Sequence, residues 1–226
     1  MCGRFTLKEP KKVKLKDIDP YDFEDLIPRY NIAPTQPVLT VVQRDSSREA
    51  TLMQWGLIPF WSKEPKGLIN ARTETIEEKP SFNESFQRRR CLIPADGFYE
   101  WERHGKISQP YYFQMQNEEP FTFAGIWDQW RSDDGLIVSC AIITTTANEL
   151  LATIHTRMPV ILRPESHDLW LDEHSRSTDL KELLVPFDAD QMRSHAVGYG
   201  VNDVKVDHAD VLLPVTPNIG VTPSLF

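Results

Sequence analysis

The chain reads as a single α+β domain built on antiparallel, barrel-like β-sheets with a few short helices, and three observations predict it. Segments with alternating or β-branched character recur along the chain, at Gly3–Leu7, Val38–Gln43, Ala50–Trp55, Gln109–Met115, Pro120–Trp127 and Leu136–Thr145. Helical spacing is confined to short stretches, and no strand–helix–strand alternation is present to build a parallel sheet. With 226 residues, 40% hydrophobic and 26% charged, the composition is that of an ordinary globular chain able to bury one substantial core.

Gly3–Leu7 alternates polar and apolar residues, so a short strand is expected to hold the start of the chain in a fixed place. The lysine-rich Lys8–Lys16 has little apolar spacing and reads as a solvated loop or a frayed helix. Pro28–Thr35 is bracketed by prolines and reads as an ordered loop. Val38–Gln43 and Ala50–Trp55 make a hairpin around the polar turn Arg44–Glu49. In the next segment, Trp55-Gly56-Leu57-Ile58-Pro59-Phe60-Trp61, the aromatic rings either fold back over the core or form an exposed wedge. A nucleobase stacked on such a wedge gains about 1–3 kcal/mol. In Leu68–Glu74, Asn70 and Arg72 are one residue apart and share one side of a strand, so an amide and a guanidinium face the same place.

Ser81–Arg89 has Pro80 near its start and Phe82 and Phe86 four apart, which predicts a helix. Its end, Arg88-Arg89-Arg90, either complements the helix dipole or contacts phosphate. Cys91–Trp101 gives a strand, an Asp96-Gly97 turn and a second strand, with Phe98, Glu100 and Glu102 on one side. Glu100 is either a solvent-facing carboxylate or, if desolvated among Phe98, Tyr99 and Trp101, a proton donor with a raised pKa. Ala147–Ile154 predicts a short helix that delivers His155, with Arg157 two residues on. Histidine is the side chain whose ordinary pKa lies nearest neutrality, so beside Glu100 it would serve as an acid or base. Glu165–Leu171 and Thr178–Leu184 predict two more helices. Thr216–Phe226 lacks periodicity and reads as a loose tail after a domain spanning residues 2–215.

Charge and cysteine usage bound the function. A net charge of −8 argues against a broadly basic nucleic-acid coat but leaves room for a local basic cleft. No apolar run of about 18 residues and no signal pattern is present, so a cytoplasmic protein is expected, without a membrane span. Cys2, Cys91 and Cys140 are odd in number and lack paired metal-type spacing, so free thiols are expected, with no disulfide, metal or cofactor.

Cys2 is either a small buried residue after the start codon or a nucleophile. Initiator methionine is normally removed when the next side chain is small, which would leave Cys2 with a free α-amine beside its thiol. An α-amine titrates near ~7.8 and a thiol near ~8.5, so both nucleophiles are partly available at neutral pH. Their natural partner is an aldehyde: the amine gives a Schiff base, and the thiolate closes on the same carbon to give a thiazolidine. An internal cysteine cannot close that ring, because its nitrogen is an amide.

Taken together, Cys2-Gly3-Arg4-Phe5, Tyr30-Asn31-Ile32-Ala33-Pro34, Trp55-Gly56-Leu57-Ile58-Pro59, Ile69-Asn70-Ala71-Arg72-Thr73-Glu74, Pro94–Trp101 and Ile154-His155-Thr156-Arg157-Met158-Pro159 closely resemble the SRAP family, the SOS response-associated peptidase-like, abasic-site processing proteins. The blocks stand in family order and cover roughly Cys2–Val215. The resemblance implies a protein, expected to be a monomer, that binds single-stranded DNA at an abasic site and joins it through Cys2 as a thiazolidine. It also implies roles for individual residues. Asn70 would orient the Cys2 amine or the sugar, with Glu100 and His155 as the acid/base pair. Arg4, Arg72, Arg157 and Thr144 would contact phosphates, Asn31 would lie on the DNA side, and Trp61 with Phe60 would form the wedge. Self-removal of Met1 is the peptidase action expected. Lys8–Lys16 and the tail after Val215 match nothing in the family pattern. Two alternatives remain at this stage: a cysteine peptidase using Cys2, His155 and Asn70, and a non-covalent single-strand-binding module.

Overall fold

The computed structural model describes residues 2–18, 23, 25–44, 47–133 and 135–217. In chain order these form β1 (Phe5–Leu7), β2 (Arg29–Ile32), β3 (Pro37–Arg44), β4 (Ser47–Trp55), β5 (Asn70–Arg72), α1 (Asn83–Arg88), β6 (Arg90–Ala95), β7 (Gly97–His104) and β8 (Ile107–Met115). There follow β9 (Phe121–Ser132), β10 (Gly135–Thr146), α2 (Glu149–Ala152), β11 (Arg157–Pro159), β12 (Ile161–Leu162), α3 (His167–Leu171), α4 (Ser177–Glu182) and β13 (Met192–Ala196).

The expected barrel is present. Strand β3 pairs with β4 and β6, β6 with β9, and β9 with β10 in a long antiparallel hairpin from Ser132↔Gly135 to Ile142↔Gly125. The ring closes where β10 meets β4 in parallel at Cys140↔Trp55. Its antiparallel character is therefore broken at one seam, and β5 also joins β10 in parallel. A second sheet runs β13–β8–β7–β1–β2.

The chain crosses from barrel to second sheet at Asp96-Gly97, between β6 and β7. Glycine is required there: a Cβ on Gly97 would lie 2.0 Å from the Tyr112 hydroxyl. The Thr6 hydroxyl donates to Asp96 Oδ1 at 2.5 Å, and Asp96 Oδ2 accepts the Glu9 N–H at 2.8 Å. This buried network pins β1 to the crossover. On the other face of β1, the Phe5 ring meets Trp55 of the barrel edge-on at 5.2 Å and Phe123 at 5.7 Å. Such perpendicular pairs add about 0.5–1.5 kcal/mol beyond their burial. The first strand is thus keyed into the core between the two sheets, and the residues just before it inherit a fixed position.

Several expectations needed correction. Pro28–Thr35 is not wholly loop: Arg29–Ile32 pairs with β1 at Phe5↔Ile32 and Leu7↔Arg29, and the bracketing prolines fall outside the paired residues. The short strands β11, β12 and β13 are not among the expected elements, and two to five residues carry little periodic signal. Within Lys8–Lys16 the chain makes a 3-10 turn at Pro10–Lys12 and buries Val13. Met1, and the tail beyond Pro217, lie outside the described residues. Among the described residues, no helix is long and apolar enough to cross a membrane.

Candidate active site

Cys2 sits just ahead of β1, which pairs with β7 at Phe5↔Phe98 and Thr6↔Gly97. Extending that antiparallel register brings Cys2 level with the Glu100-Trp101 part of β7. Cys2 is fully buried, and its Sγ lies 3.8 Å from the Arg4 carbonyl. Burial first, and the nearby Glu100 carboxylate second, push its thiol far above the ordinary range. A free thiolate is therefore scarce here at neutral pH.

Asn70 reaches the same place from the barrel. As the first residue of β5, it stands beside Ile142 of β10, and its Nδ2 donates to the Cys2 carbonyl at 2.9 Å. Its Oδ1 is buried with no hydrogen-bond partner among the described residues. An amide held by one end with its acceptor unpaired is suited to receive a new N–H or O–H at Cys2.

Glu100 is 2% exposed, and burial raises its carboxyl pKa while the charge of His155 acts in the opposite direction. Glu100 thus lies within electrostatic reach of both Cys2 and His155. The imidazole is delivered by α2, whose N-cap Asn148 accepts the Leu151 N–H at 2.9 Å and donates to the Phe187 carbonyl at 2.7 Å. The backbone N–H of Arg157 donates to His155 Nδ1 at 3.0 Å, while the Arg157 carbonyl lies 3.2 Å from the same nitrogen. The Arg157 N–H thus uses Nδ1 as its acceptor.

The residues expected to meet DNA separate into two groups. Arg72 is exposed and has no ion-pair partner among the described residues, and it stands opposite Thr144 in the β5–β10 register. Arg4 is half-buried and its Nη1 donates to the Gly3 carbonyl at 2.9 Å. Phe60 and Trp61 are 54% and 52% exposed, so the wedge-like alternative describes their placement. Their loop is rigidly based. Leu57 bridges Leu68, and a Cβ on Gly67 would come within 2.6 Å of the Gly56 carbonyl oxygen. Asp128 Oδ2 accepts the Phe60 N–H at 2.9 Å, and Trp130 Nε1 donates to the Ser62 carbonyl at 2.7 Å.

Asn31 and Thr144 do not present the side-chain contacts expected of them, because both are fully buried. Asn31 Nδ2 donates to the carbonyls of Val201, Asp203 and Val206, anchoring the C-terminal segment across β2. Thr144 offers its carbonyl and, at 3.3 Å, its hydroxyl to Arg157 Nη2. Arg157 is itself ion-paired to Glu74, a residue within the Ile69–Glu74 block that sequence reasoning passed over. The Arg88-Arg89-Arg90 run is largely structural. The buried Arg90 guanidinium donates to the carbonyls of Trp170, Phe86, Gln87 and Asp172, and Arg89 pairs with Glu84 and Asp128. Two sizeable cavities, of about 490 and 410 Å³, open elsewhere, and neither is lined by Cys2, Asn70, Glu100 or His155.

Known proteins resemble this chain along almost its whole length. It is 40% identical over 225 residues to the abasic site processing protein YoaM of Bacillus subtilis, an alignment covering 94% of this chain and 97% of that one. It is 32% identical to the abasic site processing protein YedK of Escherichia coli, covering 95% and 100%. Identity to the abasic site processing protein HMCES of Gallus gallus is 35%, covering 83% and 66%. A crystal structure of a protein from Bacteroides thetaiotaomicron, 28% identical, superposes with a TM-score of 0.80 over 95% of this chain and 100% of the other. The pattern of one family, SOS response associated peptidase (SRAP), matches residues 1–204, and to that family this chain belongs.

Proposed function

We propose that the chain processes abasic sites in DNA, binding the lesion in single-stranded DNA and joining it through Cys2 as a thiazolidine. The observation that carries this is the bond from Asn70 Nδ2 to the Cys2 carbonyl, with the Glu100 carboxyl close to the Cys2 thiol; it supports Cys2 as the residue that offers amine and thiol, with Glu100 and His155 as acid and base. The abasic site processing relatives at 32–40% identity support the same lesion as substrate.

The chemistry follows from the groups present. Once Met1 is removed, by the protein's own action in this proposal, the Cys2 amine adds to the aldehyde carbon of the opened sugar. The resulting carbinolamine loses water as Glu100 gives a proton to the departing hydroxyl. The Cys2 sulfur then attacks the imine carbon, its proton passing to the nitrogen, so aldehyde and cysteine become thiazolidine and one water. Because burial disfavours the thiolate, the amine acts first, and the sulfur needs a neighbouring base to surrender its proton. The same upward shift speaks against a cysteine peptidase, whose nucleophile requires a lowered thiol pKa, and Cys2 precedes a strand rather than a helix.

The test is intact mass after incubation with an abasic single-stranded oligonucleotide beside an undamaged one. The wild type should gain the mass of the abasic strand less one water. Cys2→Ser keeps the amine and should give only an adduct that is lost unless reduced. A stable, unreduced adduct on Cys2→Ser would overturn the thiazolidine, and undiminished mass shift with undamaged DNA would overturn the lesion.

A further inference from the structure

Phe60 and Trp61 are the two central residues of a turn that the Ser62 N–H closes on the Pro59 carbonyl at 2.9 Å. Both rings are exposed, so the peptide frame of the turn decides where they point. That frame rests on one face of the β9–β10 hairpin. Asp128 and Ser139 stand directly opposite each other in the pairing, and each takes one N–H of the loop. Ser139 Oγ accepts from Ile58 at 2.8 Å, and Asp128 Oδ2 accepts from Phe60 at 2.9 Å. Two residues beyond Asp128, on the same face, Trp130 Nε1 donates to the Ser62 carbonyl at 2.7 Å. The other carboxylate oxygen of Asp128 accepts the Gln129 N–H at 2.8 Å and lies 3.3 Å from Arg89 Nη2. Asp128 is buried, and a buried carboxylate is costly unless it is paired and hydrogen-bonded. The pairing of β9 with β10 is made by main-chain groups, so this carboxylate serves the loop and Arg89 rather than the sheet.

We propose that Asp128, with Trp130 beside it, is a positioning residue for DNA, holding Phe60 and Trp61 as a rigid wedge on which a base flanking the lesion stacks. The proposal rests on the function proposed above for its DNA, but not for the chemistry at Cys2. Rings already held in their bound orientation spare the cost of ordering the loop on binding. Asp128→Asn breaks this hold selectively. Two donors, the Gln129 N–H and Arg89, converge on Oδ1, so the amide oxygen takes that side. The amide nitrogen then faces the Phe60 N–H, donor against donor, and the tip of the loop is released at nearly unchanged side-chain volume.

The test uses a single strand with a tetrahydrofuran residue in place of the abasic sugar, which has no aldehyde to react, and the fluorescent base 2-aminopurine beside it. Wild-type protein should quench the 2-aminopurine as it stacks on an aromatic ring. Trp61→Ala should lose most of that quenching and bind about tenfold more weakly, inside the ~5–150-fold that one stacked base is worth. Asp128→Asn should lose part of the quenching and bind about fivefold more weakly. In a protein already carrying Phe60→Ala and Trp61→Ala, Asp128→Asn should cost nothing further, because its effect passes through the rings. Trp130→Phe, which strips the Ser62 carbonyl of its donor, should behave in the same way and supplies the cycle if Asp128→Asn does not fold. An equal loss with and without the rings overturns the proposal and leaves Asp128 a residue of the fold alone. Wild-type quenching and affinity in Asp128→Asn overturn it too, as does a Trp61→Ala protein that binds and quenches like the wild type. Wild-type protein that binds and quenches but never crosslinks natural abasic DNA refutes the chemistry at Cys2 and leaves the wedge standing.

Discussion

The side-chain amide of Asn70 donates to the main-chain carbonyl of Cys2 across 2.9 Å, joining β5, which hangs on the barrel, to the residue ahead of β1 in the second sheet. Cys2 is thereby held from both sheets: through Phe5 in the core and through Asn70 at the carbonyl. Asn70→Ala removes one hydrogen bond, worth about 1 kcal/mol net, and an unpaired amide acceptor. Crosslinking should slow by roughly five- to tenfold, with thermal stability within about 1 kcal/mol of wild type. Asn70→Asp should be at least as slow, because its carboxylate cannot donate to the Cys2 carbonyl. A wild-type rate in both variants would leave Asn70 a structural residue only.

Of the three arginines first expected to meet phosphate, Arg157 is already neutralised by Glu74, which leaves Arg4 and Arg72. At about −0.7 per phosphate on a single strand, two contacts predict a log–log salt slope for DNA binding near −1.4. Arg72→Ala should bring the slope near ~−0.7 and weaken binding at low salt. Arg90→Ala should leave the slope alone but lower stability by at least ~2 kcal/mol, since it strips buried carbonyls of their donor. Binding that is flat in salt would remove Arg4 and Arg72 from the interface.

Much of the barrel was legible because β3, β4, β9 and β10 are long enough to show alternation or β-branched runs. The candidate set was chosen through residue chemistry: an amine and thiol on Cys2, an amide, a carboxylate and an imidazole in separate blocks. What stayed hidden depends on pairing across long sequence separations. No local pattern near Asn31 announces that its amide will be spent on carbonyls of Val201, Asp203 and Val206. The ion pair of Arg157 with Glu74 spans 83 positions, so Arg157 looked like a free cation. The strands β11 and β12 are likewise defined by partners, Thr146↔Arg157 and Phe123↔Ile161, rather than by their own period.

Away from the reactive site, His167 carries a stability prediction. Its Nε2 meets the Thr122 hydroxyl at 2.8 Å, and burial, reinforced by the charge of Arg48, lowers its pKa to about 4. The unfolded ring takes up a proton near ~6.5, but the folded ring stays neutral until about pH 4. Stability is therefore full above the unfolded pKa and is lost as pH falls through that window, by up to about 3 kcal/mol at 1.4 kcal/mol per unit. Urea midpoints at pH 7 and pH 5 should differ in the wild type, and His167→Gln should shrink that difference. An equal difference in the variant would place the acid sensitivity on other groups.

In the proposed reaction Glu100 and His155 would divide the proton transfers. Burial favours the protonated form of Glu100, which in the proposed reaction would give its proton to the hydroxyl leaving the carbinolamine. Glu100→Gln keeps the shape and loses that proton. His155, with Nδ1 accepting the Arg157 N–H, would in the proposed reaction help open the ring that masks the aldehyde. Each single replacement should slow crosslinking by about 10²–10⁴-fold with DNA affinity nearly unchanged. The two steps separate on a substrate that presents a preformed aldehyde and needs no ring opening. His155→Ala should recover part of its rate there, whereas Glu100→Gln should not, because dehydration of the carbinolamine is still required. Equal recovery in both variants, or wild-type rates in either on natural abasic DNA, would show that these two roles are wrongly divided.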